Sequence, residues 1–176
     1  MRKHFYITTP IYYVNDKPHI GHAYTTILAD VLSRFNRQLN TETFFLTGLD
    51  EHGQKVQEAA NKLGVTPKEH CDRMAPRFTN LWEKLYISND DFIRTTEERH
   101  KKVVKEILQT VMSNGDIYEA EYEGLYSVSE ERFITEKEAE TGAFRGIKKL
   151  NEKNYFFKMS KYQEKLIDHI HLNPKK

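Results

Sequence analysis

Cysteine is almost missing from this 176-residue chain, with Cys71 the only one. A disulfide within the chain is excluded, and so is a metal cage built on several thiolates. A reducing, cytoplasmic setting fits such a sequence. Net charge is nearly missing too: 27 lysines and arginines stand against 26 acidic residues, leaving +1. A protein that gripped nucleic acid over most of its surface would be more basic, so any RNA contact is expected to be local. Long apolar runs are absent; none approaches the ~20 residues that span a bilayer. Residues 1–9 pass from a basic start into a strand-like run with no apolar signal segment. Neither internal repeats nor low-complexity tracts occur. A soluble intracellular protein with one medium domain, or one domain with a small insertion, is the expectation.

Within that frame the chain is well patterned. Residues 4–9 (HFYITT) are aromatic and β-branched and meet Pro10, which predicts a buried strand. A loop follows through residue 18, marked by Asn15, Asp16 and Pro18. Ile27, Leu28, Val31, Leu32 and Phe35 recur at helical spacing, predicting a helix over 20–39. A second strand is expected at 43–47, closing on Gly48, and then a helix over 51–63 stopped by Gly64. Thr66 and Pro67 begin another helix, whose apolar positions include Met74, Phe78, Leu81 and Leu85. A short third strand is expected at 92–96, before a helix carrying Val103, Val104, Ile107, Leu108 and Val111 that ends near Asn114 and Gly115. Strands and helices alternating through short loops predict an α/β fold with a parallel sheet. Beyond Gly115 large apolar and acidic residues alternate over 117–126, the period of exposed antiparallel strands. The domain boundary is therefore placed at 115, with a last helix over 160–171.

Two clusters carry chemistry. His19-Ile20-Gly21-His22 falls where the first strand's loop becomes a helix, the place where open α/β sheets bind ligands. Unpaired N–H groups and a positive dipole end there suit phosphate. His19 and His22 share a helix face, and Gly21 leaves room for a ligand to approach the backbone. Spacing alone equally allows two surface histidines or half of a metal site. Asp50, with Glu51-His52-Gly53, takes the equivalent place after the second strand. Its carboxylate is suited to an ammonium group or a ribose hydroxyl, and also to a helix N-cap.

Residues 9–24 (TPIYYVNDKPHIGHAY) resemble the opening of the methionyl-tRNA synthetases, including the His-Ile-Gly-His motif of class I synthetases. Residues 45–56 (FLTGLDEHGQKV), 122–126 (YEGLY) and 154–163 (NYFFKMSKYQ) extend the resemblance over nearly the whole chain. It implies the first half of a Rossmann-type nucleotide-binding fold over 1–115, and part of the inserted connective-peptide domain, with antiparallel strands, over 116–176. It implies ATP contacts at Thr9, His19, Gly21 and His22, with the two histidines stabilising the phosphates as methionine attacks. Methionine would meet Ile11 and Tyr13 through its side chain and Asp50 through its ammonium. Mg²⁺ would accompany ATP, and tRNA for methionine would be the acceptor. The alternatives are another class I synthetase and a non-catalytic binding module.

The sequence departs from that family at two places. Where many members begin a zinc knuckle with Cys-x-x-Cys, residues 127–130 read SVSE, so structural zinc is not expected. Lys158-Met159-Ser160-Lys161 imitates the family's second lysine motif, but Tyr162 stands where serine belongs and the surrounding block matches the inserted domain. It is read as a helix start. The lysines at 148, 149, 153, 158, 161 and 165 interleave with Tyr155, Phe156 and Phe157, a solvated face or a contact for the acceptor end of tRNA. The second Rossmann half and the anticodon-binding domain are not in these 176 residues, so the chain is expected to be inactive alone and to expose apolar surface.

Overall fold

The computed structural model describes residues 4–127, 129–130 and 132–174. They form two compact units, divided between Val104 and Lys105, whereas the change in composition had suggested 115. Val128, inside the stretch compared with the zinc knuckle, lies outside the described residues.

The first unit contains β1 (His4–Thr8), β2 (Tyr12–Tyr13), α1 (Ile20–Gln38), β3 (Glu42–Asp50), α2 (Gln54–Lys62), α3 (Pro67–Lys84) and β4 (Asp91–Arg94). All pairings are parallel, as the α/β reading required. Leu46 pairs with Thr8 and Asp91, and Leu49 with Tyr12 and Arg94. Hence β1 and β2 are successive segments of one edge, interrupted at 9–11, and β4 lines the other side of β3. The second strand does not close on Gly48: β2 and β4 hold it extended to Asp50. A Cβ on Gly48 would lie 2.1 Å from the Ile93 carbonyl oxygen, so glycine permits β4 to approach. The following helix accordingly starts late, at Gln54.

The core gathers at the C-terminal end of the sheet, where Tyr12, Val14 and Leu49 meet Val56 of α2 and Cys71, Met74, Phe78 and Trp82 of α3. Burying each of the larger side chains is worth about 1.5–3 kcal/mol. Thr66 caps α3 through a reciprocal pair of bonds with Glu69, the capping box that a Thr-x-x-Glu start favours.

One expectation about burial was wrong. β1 is not buried: among the described residues β3 is its only neighbour, and Tyr6 stays 63% exposed. The apolar stripe of α1 faces away from this unit's core. Its inward face is Thr26, Ala29, Asp30 and Ser33, and it docks by polar bonds. Asp30 accepts from the Ser88 N–H (2.7 Å) and from Arg34 (2.6 Å), while Arg37 reaches the Ser88 carbonyl and Asp90. Leu28, Val31 and Phe35 are left more than half exposed. A contiguous apolar surface of this kind drives association. The 176-residue chain is expected to self-associate on size-exclusion chromatography with light scattering, and Leu28→Lys with Phe35→Lys to shift it towards monomer. A monomeric wild-type chain would refute this.

Helix α4 (Glu98–Ser113) runs across the division, and no residue of it is buried. In the second unit β5 (Ile117–Ser127) pairs antiparallel with β7 (Ile147–Phe157) along its whole length, and with β6 (Arg132–Ile134) on its other side. A short α5 (Glu136–Glu140) separates β6 from β7, and a 3-10 turn, Met159–Tyr162, leads into α6 (Gln163–Leu172). One face of the ladder is an aromatic cluster: Phe133 packs edge-on against Tyr122 and Tyr126, and Phe156 stacks on Tyr118. Buried Asp116 ties the 3-10 turn back by accepting from Lys161 and Tyr162. Where the zinc pair was looked for, Ser127 and Ser129 join hydroxyls at 3.1 Å and Ser129 donates to the Arg145 carbonyl. Among the described residues no helix is long and apolar enough to cross a membrane.

Candidate active site

At the C-terminal end of the sheet the chain leaves β2, turns through Asn15, Asp16, Lys17 and Pro18, and begins α1 at His19. That residue is extended (φ −122°, ψ 176°) and caps the helix: its Nδ1 accepts from the Gly21 N–H at 3.0 Å. His22 reciprocates, its Nδ1 accepting from the His19 N–H at 3.2 Å. The two rings stack with centroids 3.7 Å apart. The space beside Gly21 is therefore taken by the imidazole of His19, whose Cε1 lies 2.9 Å from where a Cβ would stand. Glycine here lets the histidine fold back onto its own helix.

Those bonds fix the tautomers. A neutral imidazole whose Nδ1 accepts carries its proton on Nε2, so both histidines hold an N–H donor away from the helix end. Tyr12, buried beneath them, packs against the His22 ring at 4.6 Å and shares a 2.8 Å hydrogen bond with Thr26. Burial first, and the stacked His19 second, hold the His22 imidazole below its ordinary 6.5. Because the folded pKa is the lower one, the unfolded chain binds more protons in the window just below 6.5. His22 thus contributes stability above 6.5 that is lost as pH falls through its folded pKa. NMR titration should place its midpoint below 6.5, and His19→Ala should move it upward without restoring the free value. An unchanged midpoint in His19→Ala would show that the stacked pair is uncoupled.

Ile11, Tyr12, Tyr13, Asn15, Asp16, Lys17, His19 and His22 line one cleft of about 460 Å³. Four of the residues singled out from sequence, Ile11, Tyr13, His19 and His22, thus share a cavity wall. Asp50 stands opposite Tyr13 in the β2–β3 register. It is not a helix cap, because Gly53 holds that position for α2, and among the described residues its carboxylate makes no hydrogen bond or ion pair. Thr9 lies apart from the cleft wall, where the sheet edge is interrupted, and its hydroxyl meets that of Thr47 at 2.7 Å.

What holds Asp50 in place was not legible beforehand. Its neighbour Glu51 is buried, with its side chain fully enclosed, and receives Arg94 Nε at 2.6 Å and the Thr96 hydroxyl. The Glu51 N–H donates to Thr95 Oγ1 at 3.0 Å, and His52 Nδ1 meets the same hydroxyl at 2.9 Å. Arg94 also bridges to Asp72 at 2.6 Å. Burial opposes the Arg94 charge, and these carboxylates more than offset it, so its pKa is raised. Burial first and the Glu51 charge second push the Cys71 thiol up to about 11, leaving it protonated and inert. The sequence signal was a Glu directly after the last strand residue, a position where a free carboxylate is rarely buried unless paired.

In the second unit four of the six lysines of the patch read from sequence are engaged locally. Lys149 pairs with Glu123 (2.5 Å) and Lys153 with Glu119 (3.1 Å) across the ladder, Lys158 donates to the Gly115 carbonyl (2.8 Å), and Lys161 joins Asp116. The stretch at 158–161 is used for local anchoring.

Comparison with known proteins gives a consistent picture. The family model described as tRNA synthetases class I (M) matches residues 5–144. A methionine–tRNA ligase of Fusobacterium nucleatum is 52% identical over 179 aligned residues, covering 99% of this chain and 28% of the relative. One from Rickettsia bellii is 50% identical, covering 99% of this chain and 35% of the relative. Among solved structures, Mycobacterium tuberculosis methionyl-tRNA synthetase in complex with methionyl-adenylate superposes with a TM-score of 0.89 at 41% identity, over 99% of this chain and 36% of that one. The chain thus spans about a third or less of the relatives it matches.

Proposed function

Because this chain belongs to the class I tRNA synthetases of the methionine branch, we propose that it is the part of a methionine–tRNA ligase that receives the nucleotide and the amino acid. The observation that carries this reading is the stacked, self-capping pair His19 and His22 at the start of α1, sharing a cleft with Ile11 and Tyr13. The reaction joins the methionine carboxylate to the α-phosphorus of ATP, releases pyrophosphate, and passes the methionyl group to tRNA. In it the two Nε2–H groups and the positive end of α1 stabilise negative charge on the phosphate oxygens, and no proton need leave the imidazoles. Thr9 completes the nucleotide contacts, while Gly21 serves by letting His19 fold back onto the helix start. Asp50, unpaired and held by its clamped neighbour, takes the methionine ammonium, while Ile11 and Tyr13 give the thioether an apolar wall. Mg²⁺ arrives with the nucleotide; among the described residues no three His, Cys, Asp or Glu gather to hold a metal.

Methionine-dependent ATP–pyrophosphate exchange tests the reading, run on the whole protein that contains this sequence and on the 176-residue chain. Exchange is expected from the former and none from the latter. Exchange with leucine or cysteine in place of methionine would assign another class I synthetase. Absence of exchange with every amino acid would leave a non-catalytic binding module.

A further inference from the structure

Beside the cleft lies a second concavity, a shallow groove of about 440 Å³ lined by Lys17, Pro18, Arg77, Asn80, Leu81 and Lys84. Four of these six are at positions i, i+3, i+4 and i+7 of α3, one helix face, and the other two belong to the loop that delivers His19. Three of the six are cationic and none is acidic. Several cations of this unit are neutralised: Arg34 by Asp30, Arg37 by Asp90, Lys68 by Asp72, Arg94 by Glu51 and Arg99 by Asp91. Among the described residues, Lys17, Arg77 and Lys84 have no ion-pair or hydrogen-bond partner for their side-chain charge. The nearest carboxylate in sequence, Asp16, accepts from the backbone N–H of Lys17 at 2.6 Å.

Three unpartnered cations around one groove attract a polyanion, and the spacing says which kind. Arg77 and Lys84 are seven residues apart on a helix, about 10 Å along its axis. That is longer than a single phosphate and suits successive phosphates of an extended strand. Leu81 and Pro18 provide apolar surface between the charges, and the Asn80 amide both donates and accepts, as a ribose hydroxyl requires. Lys17 lines both the groove and the histidine cleft, so the path leads to where the adenylate would form. We propose that this groove binds the sugar–phosphate backbone of a single-stranded RNA end, guiding the acceptor strand towards the cleft; its biological purpose, though not the binding itself, rests on the ligase reading.

Fluorescence anisotropy with a labelled single-stranded RNA of about ten nucleotides tests it directly on this chain. Arg77→Gln with Lys84→Gln should weaken binding about tenfold near 0.1 M salt and reduce the salt slope by about 1.4, at roughly 0.7 per phosphate contact. Lys102→Gln with Lys105→Gln, the same change in charge on α4, should leave both values as they were. Equal losses in the two variants would reduce the effect to net charge and overturn the proposal, as would unaltered RNA binding in the groove variant. So would a groove variant that loses pyrophosphate binding and keeps RNA. If exchange assays on the whole protein fail while groove-dependent RNA binding holds, the ligase reading falls and the groove stands.

Discussion

Arg94→Ala is expected to lower the stability of the chain by about 3–5 kcal/mol, the cost of leaving one member of a buried ion pair without its partner. The Glu51 side chain is completely enclosed and that of Arg94 is 21% exposed, so water cannot take over the guanidinium's role. The bridge from Arg94 to Asp72 adds little, because Asp72 is nearly half exposed and exposed pairs contribute about 0–1 kcal/mol. Urea unfolding followed by the fluorescence of Trp82, the sole tryptophan and a core residue, measures the loss. Glu51→Leu combined with Arg94→Met should recover most of it, since apolar replacement of both partners removes the stranded charge. A loss under 1 kcal/mol in Arg94→Ala would mean that the pair is solvated and that Asp50 is positioned by other means.

The second large effect falls on chemistry. In the whole protein His22→Ala is expected to reduce the methionine-dependent exchange rate about 10²–10³-fold, the usual cost of deleting one preorganised donor to developing charge. Asp50→Ala should instead raise the KM for methionine far more than that for ATP, because its partner is the amino acid's ammonium. The two variants thus separate along different axes of the same assay. A His22→Ala enzyme with full turnover would assign the ring a packing role against Tyr12 and leave the phosphates to other groups.

Much of the fold could be read from local pattern. Parallel strands alternating with helices, and the period-two stretch after Gly115, follow from side-chain periodicity, which the backbone geometry dictates. Periodicity states which residues share a face but not which face a neighbour covers. That is why the stripe from Ile27 to Phe35 was legible as a helix side while its spacing left open that Asp30 and Ser33 would turn inward. The strand end was misplaced for a related reason: Gly48 looks like a stop until the close approach of Ile93 is known. At the candidate site the local sequence put His19 and His22 at a helix start, whereas Asp50, expected just past the strand, is its last residue. The support behind them was not legible, because Glu51, Arg94 and Thr96 are joined across some forty residues by folding alone.

The histidine caps also have a consequence for the resting molecule. The N–H groups of His19 and Gly21, which an anion at this helix end would otherwise seek, are already filled by imidazole nitrogens of the same turn. The two rings act as placeholders: a small anion must displace a built-in occupant and gains little by doing so. A nucleotide, anchored by its other parts, can engage the outward Nε2–H groups without opening the caps. Two of the donors at this helix end are thereby withheld from stray phosphate and chloride, while the outward ones stay ready for a ligand that brings more than charge.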